Sequence, residues 1–371
     1  MKLRKIYKLK NYLIYKIQRL FKINRYINFS NKPPIFAWHI NNWKHNYMDS
    51  LLEKNIIYYL PFKLTKIKFE KEWKNKILSN SESEILIWGM EYPTYLKEFI
   101  QEYNIKVTFV EDGFIRSIGL GSNYELPISL NFDSKTLYFN AEKESDLESI
   151  LNTYNFKNDQ VLMKRALSMK NKLLKNGISK YNHADSINLD SIYGEKTKKR
   201  ILVIGQVEDD ASIKYGCNKK IDNNDLVRIA HRENPNAQII YKPHPDVLFK
   251  RREALSNPND VRDIALIVKE SIPISQALDT IDHVYTITSQ VGFEALLRDI
   301  EVTTIGLPFY AGWGLTNERQ SSSRRSRILT IDELYAGAYI LYPKYYDYSL
   351  KKSLTPEESL DRLIQLKNKG F

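Results

Sequence analysis

Four apolar residues, Ile201 to Ile204, run straight into Gly205, Gln206 and Val207, and then come three acids, Glu208, Asp209 and Asp210, shortly before Ser212. A continuous apolar run bounded by glycine predicts a parallel strand covered on both faces. Ligands in open α/β sheets gather beyond the carboxyl ends of such strands, so acids at that end are candidates for chemistry. The same residues also suit a solvated loop tip or a helix start, because Asp followed by Asp and Ser suits an N-cap.

The pattern recurs. Apolar runs at Ile35–Ile40, Ile56–Phe62, Ile85–Met90 and Val107–Val110 alternate with helical stretches near 43–51, 69–78 and 95–103. Alternation of this kind favours a parallel sheet with helical crossovers. A polar stretch, 183–199, reads as a linker, after which strands at 201–204, AQIIY, 284–288 and 302–306 repeat the architecture around a helix near 225–233. A chain of 371 residues exceeds one ordinary core, and the length prior allows two or three domains. The expected divisions are an arm at 1–30, an N-terminal α/β domain at 31–185, a C-terminal α/β domain at 196–350 and a closing helical segment at 351–371.

Charge sets the arm apart. The formal net charge is +12, and residues 1–48 contain eleven Lys or Arg with no Asp or Glu, so the remainder is nearly neutral. In the arm, Ile6, Leu9, Leu13, Ile17, Leu20, Ile23 and Ile27 recur at three- and four-residue steps between the cations. That is a basic amphipathic helix, suited to an anionic bilayer surface at ~1 kcal/mol per nearby cation, or to packing on the body with a solvated basic face. A nucleic-acid binder would spread cations over its folded domains, which argues against nucleic acid as a partner. No run approaches the ~18 apolar residues of a membrane span. The lone Cys217 excludes an intrachain disulfide, and with no cleavable signal visible the reading is a cytoplasmic protein.

Three more stretches carry candidate chemistry. Val107–Val110 delivers Glu111, Asp112 and Gly113, with Arg116 and Ser117 just beyond. This is a second strand ending in carboxylates, unless the acids simply cap the turn and pair with Arg116. AQIIY ends in Lys242, Pro243, His244, Pro245 and Asp246; a cation and an imidazole between two prolines suit a phosphate, although a structural histidine would look alike. Ser289, at the expected start of a helix through Leu297, adds a hydroxyl at a helix N-terminus, and Glu294 one turn later could hold a ribose or lie on the surface. Gly312, Trp313 and Gly314 in LPFYAGWGLT suit the wall of a sugar pocket or a packed Ω-loop. The polar, basic QSSSRRSR, Gln320–Arg327, is expected to be mobile. The sequence holds no Walker loop, no GxGxxG opening a helix, no DxD pair and no Cys/His cluster of metal-site spacing.

Taken together and in order, EDGFIRSIGLG, GISKYN, GQVEDDASI, YKPHPDV, TSQVGFEALLRD and PFYAGWGLT resemble the capsule polysaccharide Kdo transferases of the KpsC type, retaining β-Kdo glycosyltransferases of Gram-negative bacteria. The resemblance runs from about Ile35 to Tyr346. It implies a GT-B-like fold, two Rossmann-type domains facing a cleft, with CMP-Kdo as donor substrate and no other cofactor or metal. KpsC proteins usually carry two catalytic modules and this chain carries one, so the linkage it makes is open. On this reading Asp210 is the nucleophile, Glu111 or Asp112 the acid/base, and Gln206, Lys242, His244, Pro245, Ser289 and Glu294 hold the nucleotide. Arg116 and Trp313 would meet the sugar. The implied partners are a Kdo-terminated glycolipid acceptor, the inner face of the cytoplasmic membrane, and capsule assembly or export proteins. Alternatives are a transferase of another CMP-sugar, one placing the first Kdo on phosphatidylglycerol, or a non-catalytic capsule-assembly subunit.

Overall fold

The computed structural model describes residues 32–119, 124–180, 182, 188–248, 252 and 255–369. The amphipathic arm expected at 1–30 lies outside the described residues, as does 183–187 of the expected linker.

Two sheets organise the chain. The first is built from β1 (Pro34–Trp38), β2 (Ile56–Tyr59), β3 (Glu84–Trp88), β4 (Lys106–Asp112), β5 (Ser129–Asp133), β12 (Pro343–Asp347) and β13 (Lys352–Leu354), in the order β13-β12-β5-β4-β3-β1-β2. Its β2-β1-β3-β4 half is parallel, as helical crossovers require, and its other half is antiparallel. The second sheet contains β6 (Arg200–Ile204), β7 (Gln238–Lys242), β8 (Leu266–Ile267), β9 (His283–Thr286), β10 (Glu301–Thr304) and β11 (Asn317–Glu318), all parallel, in the order β11-β10-β9-β6-β7-β8. Every residue of β6 is buried, which is what its uninterrupted apolar run demands of a strand with helices on both faces. The chain leaves β6 towards β7 and β8 and then returns to β9 on the other side. The crevice between the carboxyl ends of β6 and β9 is therefore the switch point where such sheets bind ligands.

The two lobes thus have the GT-B-like form that the resemblance implies, with one boundary moved. Pro343–Asp347, expected in the C-terminal domain, belong to the first sheet: β12 pairs antiparallel with β5 and carries β13 on its other edge. Buried tyrosines account for this. The Tyr346 ring packs edge-on to Tyr47 at 5.8 Å and its hydroxyl meets Ser50 Oγ at 2.5 Å, while Tyr345 donates to Tyr339 O at 2.6 Å. The closing helix Pro356–Asn368 follows into the same lobe, with Arg165 on Glu357 at 2.8 Å.

A second correction concerns Gln320–Arg327, which is tied down rather than loose. Glu148 is buried in the helix Asp146–Thr153 and accepts from Arg324 Nε at 2.7 Å and from the buried Arg325 Nε at 2.9 Å. Arg325 also donates to Pro308 O and Ala311 O, and Arg327 to Tyr154 O. A carboxylate buried with two guanidiniums and several carbonyls is matched in both charge and hydrogen bonds, so this segment clasps the lobes together. An aromatic seam continues the join: Phe114 packs on Phe309 at 4.4 Å and on Tyr339 at 5.6 Å, and Phe293 on Tyr339 at 5.4 Å.

Candidate active site

β4 ends on the carboxylates themselves, with Glu111 opposite Asn131 and Asp112 opposite Leu130. The turn that follows needs glycine, since a Cβ at Gly113 would overlap the Ser129 side chain. Asp112 is braced from two sides: Lys44 Nζ lies 3.2 Å from Oδ1 and Arg116 Nε 2.6 Å from Oδ2. Lys44 is itself fixed, 3.3 Å from the Trp88 ring centroid. Burial disfavours the Asp112 charge, but Lys44 and Arg116 outweigh it and hold the carboxyl below the usual range. Burial, and then the Asp112 charge beside it, push Glu111 up to about 7. Two adjacent acids thus acquire opposite proton affinities.

The three acids after β6 also part ways. Glu208 turns into the lobe and accepts from the backbone N–H groups of Asn223, Leu255 and Ser256 and from the Ser256 hydroxyl. Asp209 pairs with Arg252 at 2.6 Å in solvent. Asp210 caps the helix Ala211–Gly216, and both of its side-chain bonds, from Ser212 N at 2.8 Å and Ser212 Oγ at 2.7 Å, fall on Oδ1. No hydrogen bond to Oδ2 is made by the described residues, and the exposed carboxylate lines the cleft. Helix cap and cleft carboxylate are thus the same residue.

That cleft is about 450 Å³ and lies between the strand ends of the two lobes. It brings together Glu111, Asp112, Asp210, Gln206, Lys242, His244, Pro245, Ser289 and Glu294. Burial pulls Lys242 down to about 8. His244 Nδ1 accepts from Asp246 N at 3.1 Å, which leaves the proton on Nε2 as a donor, and burial lowers its affinity for a second proton. Glu294 is buried, accepts from Lys180 N at 3.3 Å through Oε1, and leaves Oε2 buried with no partner among the described residues. Burial raises it to about 7. An orphaned buried carboxylate oxygen on a cleft wall suits a ligand hydroxyl.

Four expectations change. Arg116 is wholly buried and does not line the cleft: its guanidinium meets Asp112, Ser117 Oγ at 2.7 Å and Glu125 O at 2.9 Å, so it braces a carboxylate instead of meeting a sugar. Trp313 is also wholly buried, donating to Phe309 O at 2.8 Å beneath Arg325 at 5.7 Å, because the glycine-rich turn folds the indole inward. Gln206 lines the cleft with its amide already engaged: Oε1 accepts from Thr288 N at 2.7 Å, and Nε2 donates to Thr288 Oγ1 at 3.1 Å and Ser212 Oγ at 3.4 Å. It joins β6 to the segment after β9 and orients the serine that holds Asp210. Ser289 is one residue ahead of the helix cap, Gln290, although its Oγ still accepts from Val291 N at 3.3 Å. The helix Val291–Leu296 is short, so any phosphate here depends on side chains more than on a helix dipole.

Sequence reasoning missed Lys44 and Lys180. Lys180 lines the cleft from GISKYN, and its positive field acts on Glu111, Asp112, His244 and Glu294. A lysine inside a motif at the crossing between lobes was the available signal. Lys44 follows β1 and had none, because its partners Trp88 and Asp112 are distant in sequence.

Against known proteins, the family described as "Capsule polysaccharide biosynthesis protein" matches residues 83–345. The chain is 39% identical over 340 residues to "Lipopolysaccharide-processing protein LpsZ" of Rhizobium meliloti, covering 91% of this chain and 76% of that protein. It is 43% identical over 293 residues to "Capsule polysaccharide modification protein LipA" of Neisseria meningitidis serogroup A, covering 79% of this chain but 41% of that longer protein. Among solved structures it is similar to the β-Kdo 2,4 transferase of Thermosulfurimonas dismutans KpsC, with a TM-score of 0.76, 28% identity, and 90% and 99% of the two chains covered. The β-Kdo 2,7 transferase of the same KpsC matches with a TM-score of 0.70, 30% identity and the same coverage.

Proposed function

The chain belongs to the capsule polysaccharide biosynthesis family, and from that premise we propose that it is a retaining β-Kdo glycosyltransferase that moves Kdo from CMP-Kdo to a Kdo-terminated glycolipid. The observation that carries the reading is one cleft with carboxylates of opposite character arriving from opposite lobes. Similarity to the KpsC transferases supplies the sugar.

Asp210 Oδ2 attacks the anomeric carbon of Kdo, the bond to the phosphate oxygen breaks, and CMP leaves with the electron pair. Lys242, the His244 Nε2–H and the Ser289 hydroxyl receive the charge that develops on that phosphate. Glu294 Oε2 accepts from the ribose. In the second displacement the acceptor hydroxyl gives its proton to Glu111 and attacks the same carbon, releasing Asp210. Glu111 suits this step because an affinity near neutrality lets it take the proton and later lose it. Asp112 stays ionised between Lys44 and Arg116. Lys180 takes over the role expected of Arg116, meeting the carboxylate of Kdo.

Among the described residues no helix is long and apolar enough to cross a membrane, and we place the enzyme on the inner face of the cytoplasmic membrane, where a lipid-linked acceptor would be presented. The test is to incubate it with CMP-Kdo, with and without a short soluble Kdo acceptor. The expected result is transfer with retention and, without acceptor, a Kdo mass increment on the peptide containing Asp210. CMP binding without turnover would favour a non-catalytic subunit, and turnover of a different CMP-sugar would reassign the donor.

A further inference from the structure

Residues 62–78 form a surface that the cleft chemistry leaves unused. The stretch holds six lysines, Lys63, Lys66, Lys68, Lys71, Lys74 and Lys76, against two acids, Glu70 and Glu72. It is helical from Lys66 to Leu78, with a wider turn at Glu70–Lys74. One side is anchored: Phe69 packs on Phe99 at 5.0 Å and Tyr95 at 5.5 Å, Ile77 is buried, and Tyr95 donates to Leu64 O at 2.5 Å. The other side is open. Ile67 is 79% exposed, Phe62 and Leu78 are exposed as well, and Lys63, Lys66, Lys68 and Lys71 make no ion pair among the described residues.

We propose that residues 62–78 dock the protein on an anionic lipid bilayer, with Phe62, Ile67 and Leu78 entering the headgroup layer and the surrounding lysines meeting lipid phosphates. Charge decides the occupant. The chain's own residues 1–31 contain nine Lys or Arg and no acid, so they are repelled from this surface, as is the same surface on a second copy. A nucleic acid would satisfy the lysines but has no use for three exposed apolar side chains between them, whereas a bilayer takes both. Placement agrees. β2 runs parallel to β4 and lies three strands away, so the loop bearing Phe62 leaves the same end of the sheet as Glu111 and Asp112, roughly 14 Å along the rim. This goes beyond the transferase reading and gives a lipid-linked acceptor a bilayer from which to reach the carboxylates.

The test uses the full chain carrying Cys217→Ser and Ile67→Cys, labelled with an environment-sensitive fluorophore. A parallel sample carries the label at Val161→Cys, a position 71% exposed on another helix. Vesicles containing phosphatidylglycerol are expected to give a blue shift and protection from an aqueous quencher at position 67 and not at 161, with no response to phosphatidylcholine alone. Lys66→Glu/Lys71→Glu should raise the lipid concentration for half-maximal response by about 30-fold or more, with an unchanged thermal melt and unchanged transfer to the soluble acceptor. A silent probe at 67, an equal response at 161, or a response to duplex DNA in place of vesicles overturns the proposal. Loss of transfer to the soluble acceptor bears on the catalytic reading instead.

Discussion

At the end of β4, Glu111 and Asp112 stand in a corner walled by protein with Lys44, Arg116 and Lys180 around them; at the end of β6, Asp210 stands exposed, held through one oxygen by Ser212. Both pairs of elements follow the same plan of a buried strand that ends in acids. Surroundings make the difference. In the corner, burial and fixed cations separate two proton affinities, which suits proton transfer. In the open, one oxygen is restrained by both bonds while the other accepts none from the described residues, which suits attack on carbon. On the proposed reading, base and nucleophile therefore come from different lobes.

The largest effect that would break this contrast is at Asp210. Asp210→Ala should lower transfer on the order of 10⁴-fold or more and abolish the mass increment on its peptide. Glu111→Gln should lower transfer by about 10²- to 10³-fold while the increment still forms, because the first displacement does not require the base; a product assay and mass spectrometry separate the two steps. Asp112→Asn sharpens the contrast through pH. Activity of the parent should rise with pH as Glu111 loses its proton near 7. The Asp112 anion opposes the Glu111 charge, so neutralising it lowers the Glu111 affinity and moves that rise to lower pH by about one unit. Burial, the larger cause, remains in the variant. Glu208→Gln should leave transfer within about fivefold but cost about 2 kcal/mol of stability, because its backbone donors lose their charged acceptor; a thermal melt reads this. Asp209→Asn, breaking an exposed pair with Arg252, should shift stability by no more than about 0.5 kcal/mol.

Much of this was legible in the sequence where local pattern determines structure. Apolar runs located the strand cores, and acids or Lys-Pro-His at their ends marked the cleft, because a parallel sheet sends all carboxyl ends to one side. Orientation across the tertiary structure was not legible. Arg116 and Trp313 carry groups that suit a sugar, yet one completes an ion pair four residues back and the other fills a core. The serine- and arginine-rich run reads as solvated until Glu148 appears 176 residues before Arg324 in sequence. Likewise, nothing local tells a tyrosine-rich strand which of two sheets it will join, and β12 joins the one built from the N-terminal strands.

That return of β12 and β13 makes the second lobe an insertion within the first. The chain crosses between lobes once on the way to β6 and again after β11. A single tether would let the halves swivel in any direction. Two separated tethers define an axis, and rotation about it is the movement that leaves both intact. Arg324 and Arg325 lie on the second of these crossings and pair with Glu148, so that tether is held fast against the first lobe, and any parting of the two lobes' carboxylates should follow one arc about it.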